Sequence, residues 1–581
     1  IKPFVGETRI NDEWHRLSIS GEAPEGSVYA RVLLYMPPNV PGTYAYFDEI
    51  TFREKVPVEE QVMEEDTKRS PGTFYVSPRG DDKNDGSLEA PWATVDYAAR
   101  RAIPGDTIIF LPGEYHGVLR PVRSGTAEAP IVFKALERRT ARLVGETSLE
   151  YAVEISKVEH VHIEGFHIKP KSPHGRWLLI EGAKHIRIDD VLMEDARGGM
   201  PFLITHSEHI QVRDSVIQHY AGGNMARVGD SAYILFEGNS ISRTGHSPFQ
   251  FYPERSTRNV VIRGNVFHAA WGRNFEFFGT ENILFEHNIV TNAFDGGRSA
   301  STNAKFAVEH GIFRFNRVFR NWGGALHLYT FREQWLSHIR LYNNVFDDNY
   351  EYGIAVSDPE AQMRDVVFVN NIFTRNDVHG GLRQVQFESM GVPETGPQGE
   401  QIPRVRFMNN VVSAESEGFA NTIAFGGLRL DLDTLQSDTW QKLKPANQAV
   451  IFADNKAISP QFADEQNYNH ALKADSPLID GGSFLTRTVG SGEGRTMRVV
   501  AAMYFYDGFG IEGEQGDLVA VGSSDQLARI VKVDYERNEI TLDRPVTWKD
   551  GDPVSLCWSG SAPDIGVYEH GVGGRPAVQV T

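Results

Sequence analysis

A short polar residue, most often asparagine, returns along this chain at nearly regular intervals. Gly165, Asp190, Asp214, Asn239, Asn265, Asn288, Asn316, Asn344, Asn371 and Asn410 each stand between a short strand-like segment and an apolar pair, at steps of 25, 24, 25, 26, 23, 28, 28, 27 and 39 residues. A period in the twenties signals stacked repeats, each too small to bury its own apolar surface. Segments such as HIQVRDSVIQHYAGG, NVVIRGNVFHAAWGR and HIRLYNNVFDDNYEYG share one layout. A strand, a polar turn residue, an apolar pair, a bend and another strand follow in order. Alternation with frequent Ile, Val and Phe argues for β-structure. Each repeat holds two or three strands of four to six residues, enough for one turn of a parallel β-solenoid. Asn suits the corner because it tolerates the left-handed conformation and its amide can bond to the next Asn in a ladder. A leucine-rich horseshoe would need a leucine consensus that is absent, and a propeller blade would approach forty residues.

The repeats resemble the right-handed parallel β-helix of polysaccharide lyases and glycoside hydrolases over roughly residues 72 to 480. The opening Phe74-Tyr75-Val76-Ser77-Pro78, Gly80-Asp81, Asn84-Asp85-Gly86-Ser87 and Pro91-Trp92-Ala93-Thr94 is similar to the start of many secreted members of that group. The fold class expected is therefore all-β, a right-handed parallel β-helix. Residues 1–55 read as strands resembling part of a carbohydrate-binding β-sandwich, and 56–71 as a charged linker. Residues 72–482 read as the β-helix, with Ala93 to Ile103 as a capping helix and strands at 107–111 and 131–135. Residues 483–562 read as a small inserted β-module with strong strand signals at Leu527–Val533 and Glu539–Leu542, and 563–581 as the C-terminal cap and tail. Ser476-Pro477-Leu478-Ile479-Asp480-Gly481-Gly482 and Pro563-Asp564-Ile565-Gly566-Val567-Tyr568-Glu569 resemble two halves of one ending.

There are 58 basic and 77 acidic side chains, a net charge of −19. That balance argues against non-specific binding to nucleic acid or an anionic membrane surface. Cys557 is the single cysteine, so no intrachain disulfide can form. No run of 18 apolar residues is present, so no transmembrane helix is expected. The start at Ile1, without methionine or signal peptide, reads as a processed or truncated form. The resemblance implies a secreted, cell-surface or periplasmic protein of bacterial type. A monomer is expected.

Stacked repeats turn sequence columns into spatial neighbours about 4.8 Å apart. Six residues past the polar turn comes an aromatic column, Tyr220, Trp271, Phe294, Trp322 and Tyr350. It reads either as core stacking or as a platform for sugar rings. Arg197, His246, Arg273, Asp295 and Glu351 follow one or two residues later, with Arg298 in the same bend. The triplets Phe249-Gln250-Phe251, Phe275-Glu276-Phe277 and Leu326-His327-Leu328 each flank one polar residue with apolar ones, so Gln250, Glu276 and His327 should face outward. Tyr252 and Tyr329 extend this wall. Glycoside hydrolysis needs a carboxylic acid at the leaving oxygen and a second carboxylate as base or nucleophile. Glu276 and Asp295 are the candidate pair, and His246 and His327 complete the candidate catalytic group. Arg273, Arg298, Gln250, Tyr252, Trp271, Trp322 and Tyr329 are candidates for binding substrate.

The function expected is an extracellular glycoside hydrolase acting on a complex, possibly uronic or sulfated, polysaccharide. No cofactor is required for it. Elimination on a uronate is the alternative, with His246 or His327 as base and Arg273, Arg298 or calcium as neutraliser. Resemblance to lyases of this fold would imply a lysine or arginine base, and Lys305 is the one lysine near these columns. A non-catalytic glycan-binding solenoid is a third reading. Asp81-Asp82-Lys83-Asn84-Asp85-Gly86 resembles a calcium loop but also a plain turn. Asp189, Asp190, Glu194 and Asp195 form a second acidic group that Arg197 could neutralise.

Overall fold

The computed structural model describes residues 69–145, 151–170, 174–197, 200–245, 247–251, 257–272, 279–294, 308–330, 335–376, 384–413, 422–443 and 445–571. The sandwich-like strands of 1–55 lie outside the described residues, as do His246, Tyr252, Arg273, Glu276, Asp295, Arg298 and Lys305.

The chain winds into a three-faced parallel β-solenoid. Fourteen strands, from Thr73–Val76 to Val450–Ala453, stack into the first face, and twelve, from Gly113–Tyr115 to Val411–Ser413, into the second. The third face is described in two five-stranded sheets, one ending at Ser247–Phe251 and the other beginning at Leu326–Tyr329. Inward side chains form columns. Ile163, Ile188, Val212, Phe236, Ile262, Phe285 and Phe313 pair in register down the first face, all buried. One end is closed by the helix Val95–Arg101, which buries Val95, Ala98 and Ala99. Thr94 caps it by accepting from the Tyr97 N–H, and Arg100 and Arg101 sit at its negative end. The helix covers strand edges and core that an open solenoid would expose.

The polar corner differs from the sequence expectation in two ways. The left-handed residue is the one before the ladder: Gly238, Gly264, His287, Phe315, Asn343, Asn370 and Asn409 have φ between 48° and 67°. The asparagines that follow them bond in series. Asn239, Asn265, Asn288, Asn316, Asn344, Asn371 and Asn410 each donate from Nδ2 to Oδ1 of the next, and the row ends on Asn455. Each ladder Oδ1 also accepts the backbone N–H of the preceding rung, as Asn316 does from Asn288 at 3.0 Å. In the early coils Gly165, Asp190 and Asp214 occupy the left-handed position, not the ladder. Ser215 is the ladder residue there, accepting from the Val191 N–H at 3.1 Å.

Strands Thr486–Arg487 to Pro553–Leu556 form a six-stranded antiparallel sheet. It packs on the outside of the first face, where Leu235, Val261, Leu284 and Ile312 join Tyr504, Phe505 and Tyr506 in one buried cluster. Ion pairs cross this interface. Arg314 Nη2 lies 2.6 Å from Asp517, Arg314 Nε 2.6 Å from Glu286, and Arg263 reaches both Glu286 at 2.5 Å and Glu514 at 2.8 Å. Burial alone would raise the Glu286 carboxyl, but Arg314 and Arg263 hold it well below the usual carboxylate range. The two halves of the C-terminal ending meet in space. The Ile565 N–H donates to Leu478 O at 3.1 Å and the Gly482 N–H to Pro563 O at 2.7 Å. They seal the outer side of Val345, Ile372 and Val411.

Candidate functional site

The bend after the second face carries a row of aromatic rings. Each coil is tied to the one before by a backbone bond. Trp271 N–H donates to Thr244 O, Phe294 N–H to Ala270 O, Trp322 N–H to Ala293 O and Tyr350 N–H to Asn321 O, at 2.7–3.0 Å. These bonds stack the side chains. Trp271 and Phe294 centroids are 5.2 Å apart, Phe294 and Trp322 5.3 Å, and Trp322 and Tyr350 4.8 Å. Trp271, Phe294 and Trp322 are 65, 38 and 51% exposed, so the row is a surface feature and not core.

A second amide ladder, which sequence reading missed, lies beneath the bend. The Ala293 N–H donates to Asn321 Oδ1, Asn321 Nδ2 to Asn349 Oδ1 at 2.9 Å, and Asn349 Nδ2 to Asn376 Oδ1 at 2.8 Å. Gln384 ends it, accepting from Asn376 and donating back to Asn376 O. The signal was present as a second Asn column, five residues past the first at Asn321, Asn349 and Asn376. Tyr220 does not belong to the exposed row. It is 3% exposed and donates its N–H to Arg243 O, which places it one position earlier, on the inward column. The cause is the one-residue slip at Asp214: with a period of two, a single step moves a side chain to the opposite face. Arg197 occupies the outer column with Ala221.

On the third face Leu326 and Leu328 are buried, while His327 and Tyr329 alternate outward with rings 5.3 Å apart. Gln250 lies across from Arg227 and accepts from Asn224 Nδ2 at 2.6 Å. Among the described residues the structure thus joins Trp271 with Trp322 through Phe294, and His327 with Tyr329. Glu351 is half-buried beside Tyr350.

The acidic group at 189–195 is divided. Asp190 turns toward Arg138 and Arg139, at 2.5 and 2.8 Å. Glu194 faces His167 Nε2 at 3.1 Å, Lys169 at 3.5 Å and the Gln218 amide at 2.9 Å. Asp195 meets Lys169 at 2.5 Å and His219 at 3.5 Å. The neutralising role expected of Arg197 is filled by Arg138 and Arg139 at Asp190 and by Lys169 at Glu194 and Asp195. Burial pushes Glu194 up, but Gln218, His167 and Lys169 outweigh it and keep its carboxyl below the ordinary value. In the loop that resembles a calcium site, Asp82 accepts from the Ala93 and Thr94 N–H groups and the Thr94 hydroxyl, and Asp85 from the Ser87 N–H. Those contacts are the bonds of a turn anchoring the cap helix.

A family model described as the right handed beta helix region matches residues 151–313. The uncharacterized protein YwoF of Bacillus subtilis (strain 168) is 22% identical over 449 residues, covering 70% of this chain and 91% of that protein. The pectate lyase PEL9 of Emericella nidulans is 36% identical over 75 residues, 13% of this chain and 18% of that enzyme. Among solved structures, a GH136 lacto-N-biosidase from Eubacterium ramulus superposes with a TM-score of 0.39 at 13% identity, covering 55% of this chain and 64% of that one. The matched region and the stacked parallel faces give the same answer: this chain is a right-handed parallel β-helix protein.

Proposed function

We propose that this chain is an extracellular, monomeric enzyme that cleaves a complex polysaccharide by hydrolysis. The observation that carries the reading is the row of exposed Trp271, Phe294 and Trp322 continued by the half-buried Tyr350, with His327 and Tyr329 in the coil of Trp322. Exposed apolar surface in a contiguous row marks a binding site. The C–H faces of sugar rings cover such surface while their hydroxyls remain in reach of polar groups. In this reading Glu276 and Asp295 share the roles of acid and base or nucleophile. His246, Arg273, Arg298 and His327 hold hydroxyl, carboxylate or sulfate groups, and Gln250, Tyr252 and Tyr329 line the wall.

Elimination is a second reading, favoured by the 75-residue similarity to a pectate lyase. Digestion of a glycan panel separates the two. Hydrolysis releases reducing ends without a rise in ultraviolet absorbance, whereas elimination leaves an unsaturated sugar that absorbs. The hydrolytic account predicts the first result, and abolished turnover in Glu276→Gln with thermal stability near wild type. Absorbance rising with each cut, or full activity in Glu276→Gln, contradicts it.

A further inference from the structure

The aromatic row shares its wall with a polar one. Just before the bend, the second face presents two adjacent outward columns. The register Glu194–Gln218–Ser242–His268 defines the first. Asp195, His219 and Arg243 stand beside it, one residue further on. Lys169 enters from the preceding coil and contacts both carboxylates. His219 lies between Asp195 and Arg243, whose Nη1 is 3.1 Å from its Nε2. Lys169, Asp195 and His219 are each partly exposed.

Farther along, the same columns are closed. The hairpin Phe462–Asp464 and Asn469–Leu472 lies over them, His470 sits 2.9 Å from a fully buried Asp347, and the Tyr468 hydroxyl donates to Asp348. So these columns are sequestered in the coils of Asn344 and Asn371, and bear partly exposed polar groups in the coils before Trp271. Carboxylates, an amide, an imidazole and cations side by side offer both donors and acceptors, which is what rows of sugar hydroxyls require.

We propose that Lys169, Glu194, Asp195, Gln218, His219 and Arg243 are the polar half of one glycan track, continuous along the solenoid axis with the Trp271–Tyr350 row. The track takes an extended polysaccharide, not a short oligosaccharide. Eight coils stacked at about 4.8 Å give it a length of about 34 Å. This inference rests on the glycan reading above and adds to it the length and direction of the bound chain.

The test is tryptophan emission of the Glu276→Gln protein titrated with trimers and octamers of polygalacturonate, alginate, chondroitin sulfate and xylan. At least one octamer binds about tenfold or more tighter than its trimer. Gln218→Ala with Arg243→Ala lowers octamer affinity about tenfold and leaves a trimer held on the aromatic row unchanged, as loss of a charge-assisted bond in the polar half should. Lys169→Gln does the same should the double variant lose its fold. Trp322→Ala weakens both lengths. An octamer that binds no better than its trimer, or polar variants with unchanged octamer affinity, overturns the track while Trp322→Ala still reports on the glycan reading. If no oligomer of any of the four glycans binds, both readings fall together.

Discussion

At the residue scale, the buried amide of a ladder asparagine makes four hydrogen bonds at once. Asn316 accepts the Asn288 N–H and side chain through Oδ1, and donates through Nδ2 to Phe285 O and Asn344 Oδ1. Alanine at this position orphans backbone groups in a dry corner, at about 1–3 kcal/mol for each one left unpaired. Asn316→Ala is therefore expected to lower the urea midpoint markedly, and Ser215→Ala, in a coil whose rung is only a hydroxyl, less so. Equal effects would contradict the ladder as a main source of coil stability. The asparagines were legible from their spacing. The early rungs were not, because Asp190 and Asp214 suit the left-handed position and the column they head contains Val191 and Ser215. That single slip also carried Tyr220 to the wrong side of the wall.

At the scale of elements, the sequence held a signal read only in part. Val260-Val261-Ile262 and Ile283-Leu284-Phe285 are continuous apolar runs, not alternations. Such runs belong to strands buried on both faces, and here the outward Val261 and Leu284 lie beneath the C-terminal sheet. The strand signals at Leu527–Val533 and Glu539–Leu542 fall within strands Ser523–Asp534 and Glu539–Trp548. What covered what could not be read, since the contacts join residues some 200 positions apart, as Arg314 joins Asp517, 203 residues further on. Arg314→Ala leaves Glu286 and Asp517 buried without their shared cation, and breaking such a pair costs about 3–5 kcal/mol. Limited proteolysis of this variant should cut within 486–556 before the coils yield. Resistance equal to wild type would show that apolar packing alone holds the sheet in place.

At the scale of the whole molecule, the faces have different surroundings. The first is covered by the C-terminal sheet over its middle coils, and the second is covered by the hairpin and the C-terminal ending in its later ones. Among the described residues, the aromatic row and the polar columns before it form an uncovered line along the axis. A solenoid makes such a line cheaply, since each repeat contributes one rung and neighbours fix the spacing. The account's claim is that a polysaccharide lies along it. A crystal structure of the Glu276→Gln protein soaked with the octamer of the glycan it cleaves tests that most directly. The prediction is sugar rings stacked on Trp271 and Trp322 with the chain running parallel to the axis. Sugar bound on another face, leaving both indoles bare, would contradict it.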